Sequence, residues 1–178
     1  MRHVALLRGI NVNGHRMIRM EDLRAMVATL GHGDVATLIQ SGNVLFRAAE
    51  APPAELADGI ARGIAERFGL PDVPVVVLPG PELAAIVTAN PFVAEGIDPG
   101  RLHATVLARA PERGEGPGPA GLPTADRFAL VGRCVYVHCP NGYHRTRLTN
   151  AHFERRFGVP ATTRNWNTLC RLALLAAD

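Results

Sequence analysis

The chain has 178 residues, 47% of them hydrophobic, and a formal net charge of +3, and at this length a fold buries about 70% of the unfolded surface without staples. All 19 of its Lys and Arg positions are arginine and Ser41 is its only serine, which excludes Schiff-base chemistry and a P-loop lysine. Three widely set cysteines suit reduced thiols, and no apolar run has the length of a signal peptide or a membrane span, so a soluble cytoplasmic protein with no membrane partner is expected.

Charge is unevenly spread. Residues 1–48 carry 6 Arg against 3 acids, residues 49–125 carry 5 against 10, and residues 126–178 carry 8 against 3. The ends are basic and the middle acidic, so a surface shared by the two ends would favour an anion.

In chain order, Val4 to Leu7 put apolar side chains on both faces of a strand over about residues 3–8. Arg8 breaks that run and opens the polar stretch RGINVNGH. Met20, Leu23, Met26, Val27 and Leu30 then mark one face of a helix that stops at Gly31. Strands are expected at 35–40 and 43–47, joined by Ser41-Gly42 as a tight hairpin. Pro52 and Pro53 open a helix whose stripe Leu56, Ile60, Ile64 and Phe68 ends at Gly69, and VPVVVL at 73–78 is a fourth strand. The order βαββαβ predicts an α+β fold whose first half, residues 1–80, is a ferredoxin-like antiparallel sheet backed by two helices.

Residues 81–178 read as a second, smaller α+β half. A short helix from Pro81 ends at Asn90-Pro91, and residues 101–108 form a strand. The Gly- and Pro-rich stretch 109–125 reads as a long loop and an internal boundary. Strands at 127–131 and 134–138 are joined by Gly132-Arg133. Leu148, Phe153 and Phe157 fit a helix closed by Gly158. A last helix is expected from about Asn165 to Ala176, with Trp166, Leu169, Leu172 and Ala173 inward. No sequence repeat is detectable.

Two polar stretches stand out. In a βαββ order the first and second strands are parallel with the third between them, so RGIN and QSGN leave the same end of the sheet. Arg8, Asn11, Gln40, Ser41 and Asn43 are then expected to line one cleft; the plainer alternative is an ordinary connection and hairpin. In ATTRNWNT, Thr163 or Asn165 caps the last helix. Its free amides beside Arg164, with Asn165 and Asn167, make an anion site if the helix is not simply well capped. Arg8 and Arg164 are expected to meet at one anion; the alternative is a structural role in which an arginine hydrogen-bonds carbonyls and clamps the two halves of the chain together.

RGINVNG, SGNVLF and ATTRNWNT together resemble, in order and spacing, the bacterial family called domain of unknown function 1697. The resemblance covers essentially the whole chain and implies an α+β protein with a ferredoxin-like first half, but it carries no activity. Asn13 stands where the family usually has Gly, and Thr146 where it usually has Ser, which preserves a hydroxyl.

Catalysis and metal binding find little support. Ser41 has only His15 nearby in sequence, and no carboxylate to orient it. Cys134, His138, Cys139 and His144 lack zinc-finger spacing, and the remaining histidines form no cluster. No cofactor is implied. The expectation is a soluble binding protein or enzyme with a polar, Arg-containing pocket for a small anionic, phosphate-bearing or nucleotide-like ligand. The alternatives are a nucleic-acid binder using its sheet, for which the first three strands offer only Phe46, and a structural or partner-binding protein.

Overall fold

A computed structural model describes residues 1–112 and 125–177. The fold is α+β and falls into two compact units, Met1–Ala84 with Leu172–Asp178, and Ala85–Arg171. Most of the stretch 109–125 read as a loop and boundary lies outside the described residues.

The first unit follows the order expected: β1 (Arg2–Leu7), α1 (Met20–Thr29), β2 (Gly33–Leu38), β3 (Asn43–Arg47), α2 (Pro53–Phe68) and β4 (Val75–Pro79). The strands form one antiparallel sheet in the order β2-β3-β1-β4. Ala5, Leu7, Val44, Phe46 and Val77 share a core with Leu23, Met26 and Val27 of α1 and Leu56, Ile60 and Ile64 of α2. That core is the helical stripe meeting the odd-numbered face of β1, as a period of 3.6 set against a period of 2 requires. Val4 and Leu6, on the other face of β1, are also fully buried.

One connection differs from expectation. Leu38 pairs with Asn43, so the β2–β3 turn is not a two-residue Ser-Gly link but the four residues 39–42. Close approach explains why Gly42 is needed there. It has φ of +80°, and a Cβ at this position would lie 2.8 Å from Leu7 Cβ and from Ile10 Cδ1.

After β4 come α3 (Gly80–Thr88) and α4 (Pro91–Ala94). Asn90 does more than stop α3, because its side chain accepts from the Phe92 amide and starts α4. The second unit then adds β5 (Leu102–Leu107), β6 (Arg127–Val131), β7 (Cys134–His138), α5 (Asn150–Phe157) and β8 (Ala161–Asn165), and the chain ends with α6 (Trp166–Ala176), whose residues from Leu172 on belong to the first unit. Leu148 lies ahead of α5 rather than in it, since Thr149 is the capping residue and accepts from the His152 amide. The strand β8 corrects the reading of ATTRN as the approach to a helix. Its side chains show no apolar alternation, yet it pairs along β5 from Leu107↔Ala161 to His103↔Asn165.

The second sheet, β6-β7-β5-β8, repeats the strand order of the first. Flanking hydrogen bonds repeat too. The Leu7 amide donates to Gly42 O at 2.8 Å and the Leu107 amide to Arg133 O at 2.8 Å, while the Arg8 amide donates to Pro74 O and the Ala108 amide to Pro160 O. The duplication is invisible in sequence because it lives in backbone topology, which side chains of quite different chemistry can satisfy. Among the described residues no helix joins β5 to β6, where α1 would have its counterpart.

Candidate functional site

The β1–α1 loop and the β2–β3 turn leave the same end of the first sheet, and Asn11 joins them. Its Nδ2 donates to Gln40 O at 2.9 Å and to Ile18 O at 3.0 Å, and its Oδ1 accepts from the Ile18 amide at 2.7 Å. Every hydrogen-bonding direction of that amide but one lone pair is used internally. Asn43, on the neighbouring strand, has a similar role: it is fully buried, with Nδ2 donating to Leu38 O and to Ser41 Oγ.

The loop itself is built as a small hairpin. Val12 and His15 form a β-bridge, the His15 amide donates to Val12 O, and Asn13 and Gly14 at the tip have φ of 50° and 75°. Two consecutive left-handed residues are what a two-residue turn of right-handed strand twist demands, and asparagine is the best substitute for glycine there. Asn13 can therefore stand where glycine is usual. Ile10 and Ile18 anchor the loop in the core, and Arg16 Nη1 donates to Asp72 O at 3.0 Å.

Backbone strain concentrates on this rim. Among the described residues five non-glycines have left-handed φ, and four of them are here: Asn11, Asn13, Arg16 and Ile39. Ile39 is the least expected, being β-branched at φ of 52° with its side chain turned out to solvent. Val12 and Met17 are exposed as well, whereas Arg8 is half-buried and Gln40 and Ser41 are exposed. The rim thus carries arginine, amide, hydroxyl and apolar groups on a backbone that its own hydrogen bonds hold in place. Two cavities of this unit are elsewhere: one of about 350 Å³ lies between α1 and α2 beside Met26 and Gly63, and one of about 420 Å³ lies at the opposite end of the sheet.

The other predicted residues belong to the second unit. Arg164 is a strand residue, 8% exposed, whose Nη1 donates to Thr162 Oγ1 and to Thr163 O, both at 2.9 Å. Burial pushes its pKa down to about 10, so it stays charged at neutral pH. Asn165 ends β8 and caps α6, its Oδ1 accepting from the Thr168 amide at 2.8 Å, and Asn167 is exposed in the first turn of α6.

A polar cluster that sequence reasoning missed lies on the α5 side of the second sheet. Thr105 and Thr163 hydroxyls are 2.7 Å apart, Thr163 donates to Asn150 Oδ1, and His103 stacks on Tyr143 with ring centroids 4.3 Å apart. Burial raises the pKa of Tyr143, an effect its hydrogen bond with Thr163 opposes, and burial lowers the pKa of His103. Once β8 is known to be a strand, alternation alone places His103, Thr105, Thr163 and Asn165 on one face. Nearby, Thr146 donates to Asp126 Oδ2 and accepts from the Leu148 amide, a role that any β-hydroxyl at this position can fill.

Two expected alternatives can be compared with this geometry. A sheet-face nucleic-acid platform needs exposed aromatics, but Phe46 is fully buried between His3 and His32. The cysteines are unbridged, Cys134 and Cys139 within the core, and no group of three metal-ligating side chains occurs among the described residues. No helix among them is long and apolar enough to cross a membrane.

The family model described as a protein of unknown function, DUF1697, matches residues 1–136. The chain belongs to this family. In DUF1697 terms, the matched span holds the whole rim and ends within β7 of the second sheet. A conserved bacterial protein from Streptococcus pneumoniae has a similar structure, with a TM-score of 0.74 and 19% identity over 99% of this chain and 98% of that one. At that identity the likeness establishes the shared fold. No functionally curated protein matches the chain.

Proposed function

We propose that this protein is a binding protein whose rim, formed by residues 8–19 and 39–43, takes a small anionic, phosphate-bearing ligand. The observation that carries the reading is the clustering of four left-handed non-glycine residues on one end of one sheet. Each such conformation costs up to about 1–3 kcal/mol and persists only where surrounding structure enforces it, and such strain gathers at binding and active sites. Arg8 supplies the cation, with a planar fork suited to phosphate, and Gln40 and Ser41 supply polar contacts. Val12, Met17 and Ile39 offer apolar surface to the rest of the ligand, as a nucleoside would need.

Asn11 and Asn43 enter this reading as scaffold rather than ligand contacts, because their donors already hold backbone carbonyls and Ser41. Arg164 enters it as a clamp on its own strand, with Asn165 as a helix cap. Thermal-shift measurements with a panel of nucleotides and sugar phosphates test the proposal. The wild type and Arg164→Ala should both be stabilised by one class of ligand, and Arg8→Ala should lose about 1.5–3 kcal/mol of binding, typical of hydrogen bonds to charged groups. A response in Arg8→Ala equal to that of the wild type would refute it.

A further inference from the structure

Two Asn-Gly pairs occur in the chain, Asn13-Gly14 and Asn141-Gly142. This dipeptide is chemically labile, because a glycine nitrogen, with no side chain beside it, can reach the carboxamide carbon of the preceding asparagine. In a folded chain the reaction depends on how free that nitrogen is, and the two pairs differ in this.

Asn13 and Gly14 form the exposed tip of the rim hairpin. Among the described residues neither the Asn13 side chain nor the Gly14 amide makes a hydrogen bond. A Cβ built on Gly14 would meet nothing within 4 Å, so the tip stands in open space. The ties that hold the loop lie below it: Asn11 on Ile18 and Gln40, Arg16 on Asp72, and Ile10 and Ile18 in the core. The tip can therefore rotate while the rim keeps its shape. Asn141-Gly142 is the opposite case. The Gly142 amide donates to Cys139 O at 3.0 Å. A Cβ at Gly142 would lie 2.9 Å from His144 Cε1, so the imidazole covers this glycine. The nitrogen that would attack is thus held by a carbonyl and screened by a ring. The other asparagines precede valine, alanine, tryptophan or threonine, whose side chains crowd the nitrogen, or proline, which has no N–H.

We propose that Asn13 is a self-modification site, at which the rim acquires a negative charge by deamidation. The Gly14 nitrogen attacks Cγ of Asn13 and forms a C–N bond, and the carboxamide nitrogen leaves as ammonia with the proton that Gly14 gives up. Water then opens the resulting succinimide at either carbonyl, leaving aspartate or isoaspartate at position 13. No reagent besides water is consumed. The modification does not depend on what the rim binds. Its consequence rests on the anion reading of the rim, since a carboxylate at the tip repels an anion held by Arg8.

Trypsin, which cuts after arginine, places the two pairs in separate peptides, residues 9–16 and 134–145, so mass spectrometry follows both in one sample of full-length protein aged at mildly alkaline pH. In the folded wild type, conversion at Asn13, assigned by fragmentation, should run several-fold ahead of that at Asn141. In guanidinium chloride the two rates should converge, and Asn13→Gly should leave the 9–16 peptide unmodified. Equal rates at the two pairs in the folded protein, or an Asn13 that stays intact when folded but converts when denatured, would overturn the proposal. Asn13→Asp, which carries the charge of the product, should bind inorganic pyrophosphate about 2- to 5-fold more weakly than fresh wild type, the scale of an exposed charge pair. Equal binding by the two would overturn the consequence for the rim. Pyrophosphate bound by neither would overturn the anion reading itself, a failure separate from the modification, which the masses alone decide.

Discussion

Asn11 shows how a single side chain can make a rim out of two separate connections. Its three hydrogen bonds tie the β1–α1 loop to itself and to the β2–β3 turn, in a half-buried position where water substitutes poorly. Asn11→Ala would leave the Gln40 and Ile18 carbonyls and the Ile18 amide to find other partners, and would put alanine at a φ of 53°. Urea denaturation should show a loss of about 1–3 kcal/mol. Gly42→Ala fails for a different reason, since its Cβ would press on Leu7 and Ile10 while holding a left-handed φ. Overpacking and strain together should cost at least about 1–3 kcal/mol by the same measurement. In a chain without lysine, arginine also does backbone work. Arg2, Arg16, Arg133 and Arg164 all donate to main-chain carbonyls. A planar guanidinium can satisfy several acceptors at once where an ammonium would seek water.

At the level of elements, legibility followed the physics that each element depends on. β3, β6 and β7 were readable to the residue because alternation and turn residues are local signals. β8 was not, because ATTRN owes its extended form to the free edge of β5 and not to any pattern of its own. The β2–β3 turn was mis-sized because Ser41-Gly42 looks complete as a two-residue link, while the real closure depends on how Gly42 packs against Leu7 and Ile10. The rim residues were likewise visible as unusual, but the division between scaffold and contact depends on carbonyls far away in sequence. β8 also carries a test of its own. Thr163→Val removes the bridge between Thr105 and Asn150 and leaves both with unmet partners, so it should cost about 1–3 kcal/mol. Histidines on several elements give a pH signature. Burial lowers the pKa of His32, His103, His138 and His152, so the folded state holds them neutral and the unfolded state binds protons more readily. Their contribution is present above the ordinary histidine pKa of about 6.5 and is lost as pH falls through it. The urea midpoint should fall between pH 7.5 and pH 5.5, and a midpoint that rises would contradict the burial of these rings.

For the molecule as a whole, two units share one strand order, and among the described residues the strained rim belongs to the first alone. The second unit has Ala108 where the first has Arg8, as the matching amide hydrogen bonds show. A duplicated topology therefore supplies the scaffold twice, and the proposed binding surface is built on residues of the first copy. Arg164 and Arg8 should then separate cleanly in experiment. Arg164→Ala removes a guanidinium enclosed in the second sheet and should lower the melting temperature while sparing the ligand response, and Arg8→Ala should do the reverse. The most direct measurement of the central claim is a ¹H–¹⁵N NMR titration of the wild-type protein with inorganic pyrophosphate and adenosine diphosphate. The account predicts saturable shifts confined to the backbone amides of Gly9 to Arg16 and Gln40 to Asn43, larger with the nucleotide and absent in Arg8→Ala. Shifts that gather elsewhere, or a rim that stays silent with both compounds, would contradict it.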